Sequence, residues 1–199
     1  MNVDYQIAFV ILAYLMGSLP VGYWLTRYAT GKNILEWGSG NVGSTNVQRI
    51  AGKKIALVTQ LLDMLKGLIP VLLFQQYFAS ADSPCFIYII ALAAIAGHDF
   101  SLFLKFRGGK GVNTTLGASV LLAPVAVFVS VALYFIVKWR FTYVSLGSLV
   151  LSVSLPVTEG IVHGFTPVFY YLLACMLLIV IRHHQNIRRL LLHQELSSN

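Results

Sequence analysis

The chain has 199 residues with a formal net charge of +7, and 57% of its residues are hydrophobic while only 11% are charged. Because soluble domains usually carry about a quarter charged residues, this composition, with a mean hydropathy of +0.76, excludes an ordinary soluble protein and predicts an all-α integral membrane protein. No linker or low-complexity tract divides the chain, so we expect residues 1–199 to form a single membrane-embedded domain.

The first apolar stretch covers residues 5–26 and is long enough for a bilayer, which needs about 20 residues per helix. Asn2 and Asp4 precede it in place of the basic segment and cleavage site of a signal peptide, so we expect a spanning helix that persists in the mature protein. Gly17, Ser18 and Gly22 lie within this stretch, and small residues at such spacing favour close packing against another helix, with the lining of an acyl groove as the alternative.

A polar segment with the sequence GSGNVGSTNVQR follows at 38–49. Its three glycines permit positive φ and let consecutive N–H groups converge on an anion such as phosphate, while side-chain donors and one arginine add to the same site. The segment is therefore a candidate anion-binding loop. Its candidate contacts are Ser39, Gly40, Asn41, Gly43, Thr45, Asn46 and Arg49.

The same segment spells GxGxxG and approaches a Walker loop, but neither pattern indicates a nucleotide site here. No βαβ unit surrounds it, and Gly43 stands where the Walker loop requires Lys. The alternative interpretation is a plain polar connector between helices. In a helical continuation, however, Asn46 and Arg49 share one face, which favours a site over a bare connector.

The second apolar stretch, residues 55–79, contains Asp63 and Lys66. Ionisable residues at bilayer depth are costly, so we expect both to face the bundle and to pair with each other. A structural ion pair and a substrate contact through Lys66 both remain open. The third stretch, 84–105, includes His98 and Asp99 near its end, and we expect these two to be interfacial polar residues rather than catalytic ones.

A second polar segment, FRGGKG at 106–111, places three glycines around Lys110. Backbone without side chains lets a ligand approach closely, and the ammonium supplies positive charge beside it. The alternative is a membrane anchor, which needs cations but does not need Gly108, Gly109 and Gly111. These three glycines and Lys110 are therefore candidate substrate contacts.

The remaining apolar stretches, at 112–137, 143–161 and 165–182, bring the simple count of spans to six. Six crossings would separate the basic loops between the two sides, against the positive-inside rule. We therefore predict that 112–137 forms two short helices that turn near Ala123–Pro124, which gives seven crossings. Each would have about 12–14 residues, or about 20 Å, and would thin the bilayer, tilt little or form a re-entrant hairpin.

This arrangement predicts an outside N-terminus and a cytoplasmic C-terminus. The opposite connections, near 80–84, 123–124 and 162–164, contain Asp82 but neither Lys nor Arg. The cations that fall on the cytoplasmic side are Arg27, Lys32, Arg49, Lys53, Lys54, Lys105, Arg107, Lys110, Lys138, Arg140, Arg182, Arg188 and Arg189.

A third polar segment, RHHQNIRR at 182–189, ends the last helix. Its arginines are typical of membrane anchors that reach lipid headgroups. His183 and Asn186 lie on one helical face at i, i+3 and are not required for anchoring, so both are candidate catalytic residues. Cys85 and Cys175 lie in apolar runs without ligand spacing, and we expect no metal, disulfide or cofactor.

Five motifs in order resemble the bacterial membrane glycerol-3-phosphate acyltransferases that use acyl phosphate, the PlsY family. They cover nearly the whole chain. They are GSLPVG at 17–22, GSGNVGSTNVQR at 38–49, LDMLKG at 62–67, GHDFSLFLKFRGGKGV at 97–112 and RHHQNIRRLL at 182–191. The family usually has Arg, Ala, Pro and Gly at the positions of Leu35, Ser44, Ser101 and His193, and Leu35 removes a cation near the site.

The resemblance implies acyl transfer from acyl phosphate to the 1-hydroxyl of sn-glycerol 3-phosphate at the cytoplasmic face of the bacterial inner membrane. The products are lysophosphatidic acid and phosphate, and the implied partners are these substrates and membrane lipid, without nucleic acid. The resemblance also implies roles for residues that match the motifs. Ser39, Arg49 and Lys110 hold phosphate, Asn41, Thr45 and Asn46 complete the loop, Gly108, Gly109 and Gly111 form a backbone cradle, and His183 with Asn186 closes the site.

Acyl phosphate is already activated, so alignment, neutralisation of the leaving phosphate and exclusion of water are sufficient for direct transfer. We therefore expect a single displacement, with the hydroxyl proton taken by His183 or by a phosphate oxygen. A transporter of small phosphorylated anions is the alternative that Asp63 and Lys66 keep open. A non-catalytic scaffold that binds anionic lipid is a third reading, and it leaves the glycines unexplained.

Overall fold

The computed structural model describes residues 3–77 and 85–196, and every regular element in these ranges is helical. The all-α prediction is confirmed for this part of the chain. The helices are α1 (Val3–Ser18), α2 (Val21–Thr30), α3 (Ser44–Tyr77), α4 (Phe86–Asp99), α5 (Val112–Ser119), α6 (Pro124–Phe141), α7 (Val144–His163), α8 (Pro167–Arg182) and α9 (His184–Leu191), with 3₁₀ turns at Ile34–Glu36 and Leu102–Leu104. The predicted connection at 80–84, with Asp82, lies outside the described residues.

Within the described ranges, five helical stretches are long and apolar enough to cross a bilayer. They are α1 with α2, α3, α4 with the following 3₁₀ turn, α6, and α7. The pair α8 and α9 makes a sixth span if it is counted as one, although the two helices are bent by 61°. The sequence-based spans at 5–26 and 143–161 therefore correspond closely to helices.

Helix α3 begins earlier than its apolar stretch at 55–79 indicates. It starts at Ser44, so the predicted helical continuation through Asn46 and Arg49 is confirmed. Gly52 interrupts it with a φ of 86° and a ψ of 171°, a conformation that residues with a side chain rarely adopt. The basic residues near 49–54 thus lie on both sides of a sharp backbone break rather than along one straight helix.

The break near Ala123–Pro124 is confirmed, but the prediction of two helices of similar length is wrong. Helix α5 has 8 residues and α6 has 18. A tight turn ends α5, because the N–H groups of Leu122 and Ala123 both donate to the Ser119 carbonyl. Helix α6 starts at Pro124, whose fixed φ suits the first helical position, and continues past the apolar stretch because cations are favourable in a last helical turn.

The chain divides into two compact units, Met1–Ala118 and Ser119–Asn199, and the single-domain organisation stays a prediction. In the first unit, glycines bring helices into close contact. A Cβ on Gly17 would overlap the Ala94 carbonyl, and one on Gly97 would overlap the Tyr14 carbonyl. The predicted role of Gly17 in helix packing is confirmed. Gly22 instead lets α2 approach a loop, because a Cβ there would overlap the Val42 carbonyl.

In the second unit, small polar side chains line helix contacts. Ser154 of α7 donates to the Ser130 hydroxyl of α6 at 2.8 Å, and Ser119 lies 2.9 Å from the Tyr171 hydroxyl of α8. All four side chains are buried. Such pairs satisfy polar groups that would otherwise be costly in a lipid environment.

Candidate functional site

The first loop, residues 37–46, is organised by one buried side chain. The Asn46 Nδ2 donates to the Trp37 carbonyl at 3.0 Å and to the Asn41 carbonyl at 2.9 Å, and the Oδ1 accepts from the Ser39 N–H at 2.9 Å. Asn46 is only 2% exposed. The structure therefore places Asn46, a predicted substrate contact, where it folds the loop.

Backbone groups of the first loop are bonded to the loop itself. The Gly40 N–H donates to Trp37 at 3.1 Å, and the Gly43 N–H donates to the Asn41 Oδ1 at 2.8 Å. The predicted convergence of these N–H groups on an anion is therefore wrong for Ser39, Gly40 and Gly43. The glycines serve the turn instead, since Gly38 and Gly40 have φ values of 62° and 69°. An anion here would meet side chains rather than these amides.

Two hydrogen bonds join the first loop to the second loop, residues 106–111, and to α5 behind it. The Asn41 Nδ2 donates to the Gly108 carbonyl at 3.3 Å, and the Asn113 Nδ2 donates to the Ser44 hydroxyl at 3.3 Å. The structure thus brings together two of the three polar segments that the sequence singles out. Both belong to the first compact unit.

The second loop packs on the end of α4. The Gly109 N–H donates to the His98 carbonyl at 2.9 Å. A Cβ on Gly108 would overlap that carbonyl, and one on Gly109 would overlap the His98 ring. Gly111 has a φ of 74° and lies beside the Asp99 carboxylate. Packing therefore accounts for glycine at 108 and 109, and backbone conformation accounts for it at 111.

Four candidate substrate-binding side chains, those of Ser39, Thr45, Arg49 and Lys110, differ in their exposure to solvent. Arg49 is exposed near the start of α3, and Lys110 is partly buried between two buried glycines. Ser39 and Thr45 are also partly buried. These side chains are thus accessible from outside the bundle, as residues that bind a substrate must be.

A buried chain of polar contacts lies behind the second loop. The Lys66 Nζ is 2.9 Å from the Asp63 Oδ1 and also donates to the Leu19 carbonyl at 2.9 Å. The His98 Nδ1 lies 3.6 Å from the same Asp63 oxygen. The predicted pairing of Asp63 with Lys66 is confirmed. With these partners, and an exposure of 6% for Lys66, the pair provides no particular support for a transport pathway.

His98 and Asp99, for which the sequence suggests an interfacial position, are buried within the protein. They are 5% and 0% exposed and lie beneath the second loop. A position at the end of an apolar helix is consistent with an interfacial side chain and with a buried one, so the sequence does not distinguish the two. Asp63 lies on one side of the His98 ring, and the return of the chain at 108–109 packs against both residues.

In the second unit, α8 gives way to α9 at His183. The His183 side chain is buried, and its Nδ1 lies 2.8 Å from the Ile179 carbonyl. Because a carbonyl oxygen only accepts, Nδ1 must carry the proton in this bond, so in the neutral ring Nε2 has the lone pair. This tautomer is the one that lets Nε2 accept a proton.

Asn186 is held by the residues that follow α9. Its Nδ2 donates to the Glu195 Oε1 at 2.7 Å, and the Arg189 Nε donates to the Glu195 Oε2 at 2.9 Å. The Glu195 side chain is 4% exposed. Glu195 carries no signal in the sequence, because it lies beyond the helix and no periodicity relates it to Asn186.

At three positions where the chain departs from the PlsY pattern, the structure shows a backbone conformation or a hydrogen bond that bears on the difference. His193 has a φ of 55°, which suits the glycine that the family usually has there. Ser101 is buried and donates to the Ser18 carbonyl at 2.6 Å, a bond that proline could not make. Ser44 accepts from Asn113, which alanine could not do.

Comparison with known proteins gives similarities over almost the whole chain. A family model described as glycerol-3-phosphate acyltransferase matches residues 7–193. A glycerol-3-phosphate acyltransferase of Clostridium acetobutylicum is 41% identical over 190 residues, which cover 94% of this chain and 96% of the relative. Another from Syntrophotalea carbinolica is 40% identical over 182 residues, with 92% of each chain covered.

The fold is similar to a solved structure. The crystal structure of PlsY (YgiH), an integral membrane glycerol 3-phosphate acyltransferase, in its glycerol 3-phosphate form has a TM-score of 0.90 at 33% identity and covers 97% of this chain and 95% of PlsY. Its lysophosphatidic acid form has a TM-score of 0.86. Together with the apolar helices, this similarity confirms that the chain is an integral membrane protein.

Proposed function

The chain belongs to the glycerol-3-phosphate acyltransferase family, and on that premise we propose that it moves a fatty acyl group from acyl phosphate to the 1-hydroxyl of sn-glycerol 3-phosphate. The products are lysophosphatidic acid and inorganic phosphate. The observation that carries the proposal is the family match over residues 7–193. The PlsY relative has a glycerol 3-phosphate form and a lysophosphatidic acid form, which supports this substrate and this product.

The reaction is a single displacement without a covalent enzyme intermediate or a cofactor. The substrate hydroxyl oxygen bonds to the acyl carbon, the bond from that carbon to the phosphate oxygen breaks, and phosphate leaves with both electrons of the bond. Lys110 and Arg49 neutralise phosphate charge. Ser39 and Thr45 donate hydrogen bonds, since the loop amides are already bonded internally.

His183 takes the proton of the attacking hydroxyl. Its Nδ1 bond to the Ile179 carbonyl supports this role, because it leaves the Nε2 lone pair as the proton acceptor. A phosphate oxygen of the substrate is the alternative acceptor. Asn186 orients the hydroxyl and is itself oriented by Glu195.

The other predicted contacts act through the loops. Asn41 and Asn46 hold the first loop in shape, with Gly40 and Gly43 forming its turns. Gly108, Gly109 and Gly111 let the second loop lie on α4 and present Lys110. Lys66 acts through its bonds to Asp63 and Leu19 rather than by touching substrate.

The chain crosses the bacterial inner membrane seven times, with an outside N-terminus and a cytoplasmic site, and residues 1–199 act as one acyltransferase domain. Eight-residue α5 spans only about 12 Å at 1.5 Å per residue and needs the flanking segments 107–111 and 120–123 to complete its passage. The positive-inside rule supports this count, because it places the basic loops on one side. Labelling of single cysteines at 121 and 165 with an impermeant maleimide tests it, and labelling from the cytoplasm would contradict it.

The decisive assay uses purified protein in detergent with glycerol 3-phosphate and palmitoyl phosphate, followed by palmitoyl thioesters. We expect phosphate and lysophosphatidic acid to be released with the acyl phosphate only. Absence of turnover with acyl phosphate, or turnover with thioesters alone, would contradict the proposed donor. An acyl-enzyme trapped by rapid quenching would contradict direct transfer.

Lys110→Ala tests the role of the second loop. We expect a fall in turnover of at least about 100-fold, because phosphate charge is left without its partner. The matched control is Arg107→Ala, which removes an exposed cation of the same loop and should leave turnover within about 3-fold. Equal losses in both variants would favour a membrane anchor over a binding site.

A further inference from the structure

We propose that His98 is a positioning residue that fixes the second loop, and with it Lys110, for acyl transfer; this inference rests on the function proposed above. His98 lies at the end of α4 and is 5% exposed. It touches the loop with both its backbone and its side chain.

The contact with the loop is made at Gly109. The His98 carbonyl accepts the Gly109 N–H at 2.9 Å, and the edge of the imidazole fills the space where a Gly109 side chain would stand. Gly109 does not have a positive φ, so its backbone conformation is open to any residue. Glycine is needed at this position because the ring is there.

The opposite edge of the His98 ring faces Asp63, which stops the ring from moving away from the loop. Its Nδ1 lies 3.6 Å from the Asp63 Oδ1, and Asp63 is 2.9 Å from the Lys66 Nζ. Lys66 in turn donates to the Leu19 carbonyl between α1 and α2. Asp63 is 2% exposed. The ring is thus held between a buried ion pair and the loop that it supports.

A competing explanation is that Gly109 lacks a side chain so that substrate can approach its backbone. The two explanations make different predictions for a double substitution. If substrate approach requires glycine, Gly109→Ala is harmful whatever stands at 98. If the His98 ring requires it, shortening residue 98 makes room for the added methyl group and removes most of the harm.

The experiment is a double-mutant cycle in the full chain with Gly109→Ala and His98→Asn. Asparagine is shorter than histidine and keeps a polar group near the Nδ1 position, so Asp63 retains a partner. We expect Gly109→Ala to lower kcat about 100-fold through displacement of Lys110 and His98→Asn to lower it about 10-fold. The double variant should lie within about 3-fold of His98→Asn alone, a strong non-additivity.

Multiplied losses in the double variant, about 1,000-fold in all, would overturn the inference. His98→Ala with and without Gly109→Ala provides a second cycle if the asparagine variant fails to fold. The control is His163→Asn, a half-exposed histidine of the second unit, which should not change kcat. A fall in kcat in this control as large as that in His98→Asn would show that the His98 effect is not specific to the loop contact, and it would overturn the inference.

A readout independent of catalysis separates this inference from the proposed function. Amide hydrogen exchange of a peptide covering 107–112 should be faster in Gly109→Ala than in the wild type, and the double variant should return to the rate of His98→Asn. If exchange is restored in the double variant but the wild-type protein transfers no acyl group, the proposed function fails and the positioning of the second loop by His98 stands. If transfer occurs but exchange is not restored in the double variant, the positioning role fails.

Discussion

Two polar regions of the molecule differ in how far their hydrogen bonds reach along the chain. In the loop region, residues 37–46 with 98–113, short-range hydrogen bonds fold the first loop, and two further bonds join segments 67 and 69 residues apart, Asn41 with Gly108 and Asn113 with Ser44. In the C-terminal region, residues 179–195, the bonds join neighbours. His183 bonds four residues back, and Asn186 bonds nine residues ahead to Glu195.

The difference shows what each polar side chain contributes. In the loop region, asparagine amides bond to backbone groups and so determine the path of the chain. In the C-terminal region, His183 bonds to a helix carbonyl and Asn186 bonds to the Glu195 side chain, and these bonds determine which way the two side chains point. We expect substitutions in the loop region to change stability and substrate binding together, and substitutions in the C-terminal region to change turnover while the fold persists.

The largest effect is expected beneath the loop region, from Lys66→Met. It leaves the Asp63 carboxylate buried without its cation, which should lower the free energy of unfolding by about 3–5 kcal/mol. Thermal unfolding in detergent measures this, with Lys54→Met, an exposed lysine of the same helix, as control. Adding Asp63→Asn should recover part of the loss. An unchanged melting temperature in Lys66→Met would show that the ion pair does not support the loops.

The second largest effect is expected from Asn46→Ala in the loop region. It removes the donor for two carbonyls and the acceptor for the Ser39 N–H, so we expect a loss of about 2–4 kcal/mol of unfolding free energy and a higher KM for glycerol 3-phosphate. Gln60→Ala, an exposed amide of α3, is the control. A rise in KM without any loss of stability would mean that Asn46 contacts substrate directly, which would weaken the comparison.

In the C-terminal region, Glu195→Ala should be milder. It removes the group that orients Asn186 and pairs with Arg189, so we expect turnover to fall about 10-fold with little change in melting temperature. Glu195→Gln keeps an acceptor for Asn186, so its turnover should lie between those of the wild type and Glu195→Ala. Destabilisation as large as that of Asn46→Ala would show that both regions are structural, and the distinction between them would be lost.

The smallest effect is expected from His193→Gly, which should stabilise the protein by about 0.5–1 kcal/mol. Its φ of 55° is unfavourable for histidine, and the relief exceeds the entropy that glycine adds to the unfolded chain. Thermal unfolding checks the sign, and turnover should be unchanged. A decrease in stability would mean that the His193 side chain has a contact that outweighs its strained backbone.

The sequence is sufficient to predict the helical class, the break before Pro124 and the pairing of Asp63 with Lys66, because hydrophobicity, proline chemistry and the cost of buried charge are local properties. It is not sufficient to predict that α5 ends at Ser119. The turn there depends on two N–H groups that donate to one carbonyl, and no residue type in the sequence indicates this turn.

The same limit applies to the candidate site. Composition correctly draws attention to residues 38–49 and 106–111, since glycines and cations are rare in an apolar chain. It does not tell whether Asn46 bonds to a ligand or to Trp37, because an amide serves either purpose. Nor does it reveal that His98 lies under Gly109, a contact between segments that only the folded chain brings together.

The spacing of Asp63 and Lys66 has a consequence for how the protein enters the membrane. Because both charges lie one turn apart on a single helix, they can neutralise each other while α3 leaves the ribosome, before any later helix has been made. A partner on another helix would leave a lone charge facing lipid during synthesis. His98 is added some 30 residues later, when α4 arrives at about 5–20 residues per second, and so completes an arrangement that is already electrically balanced.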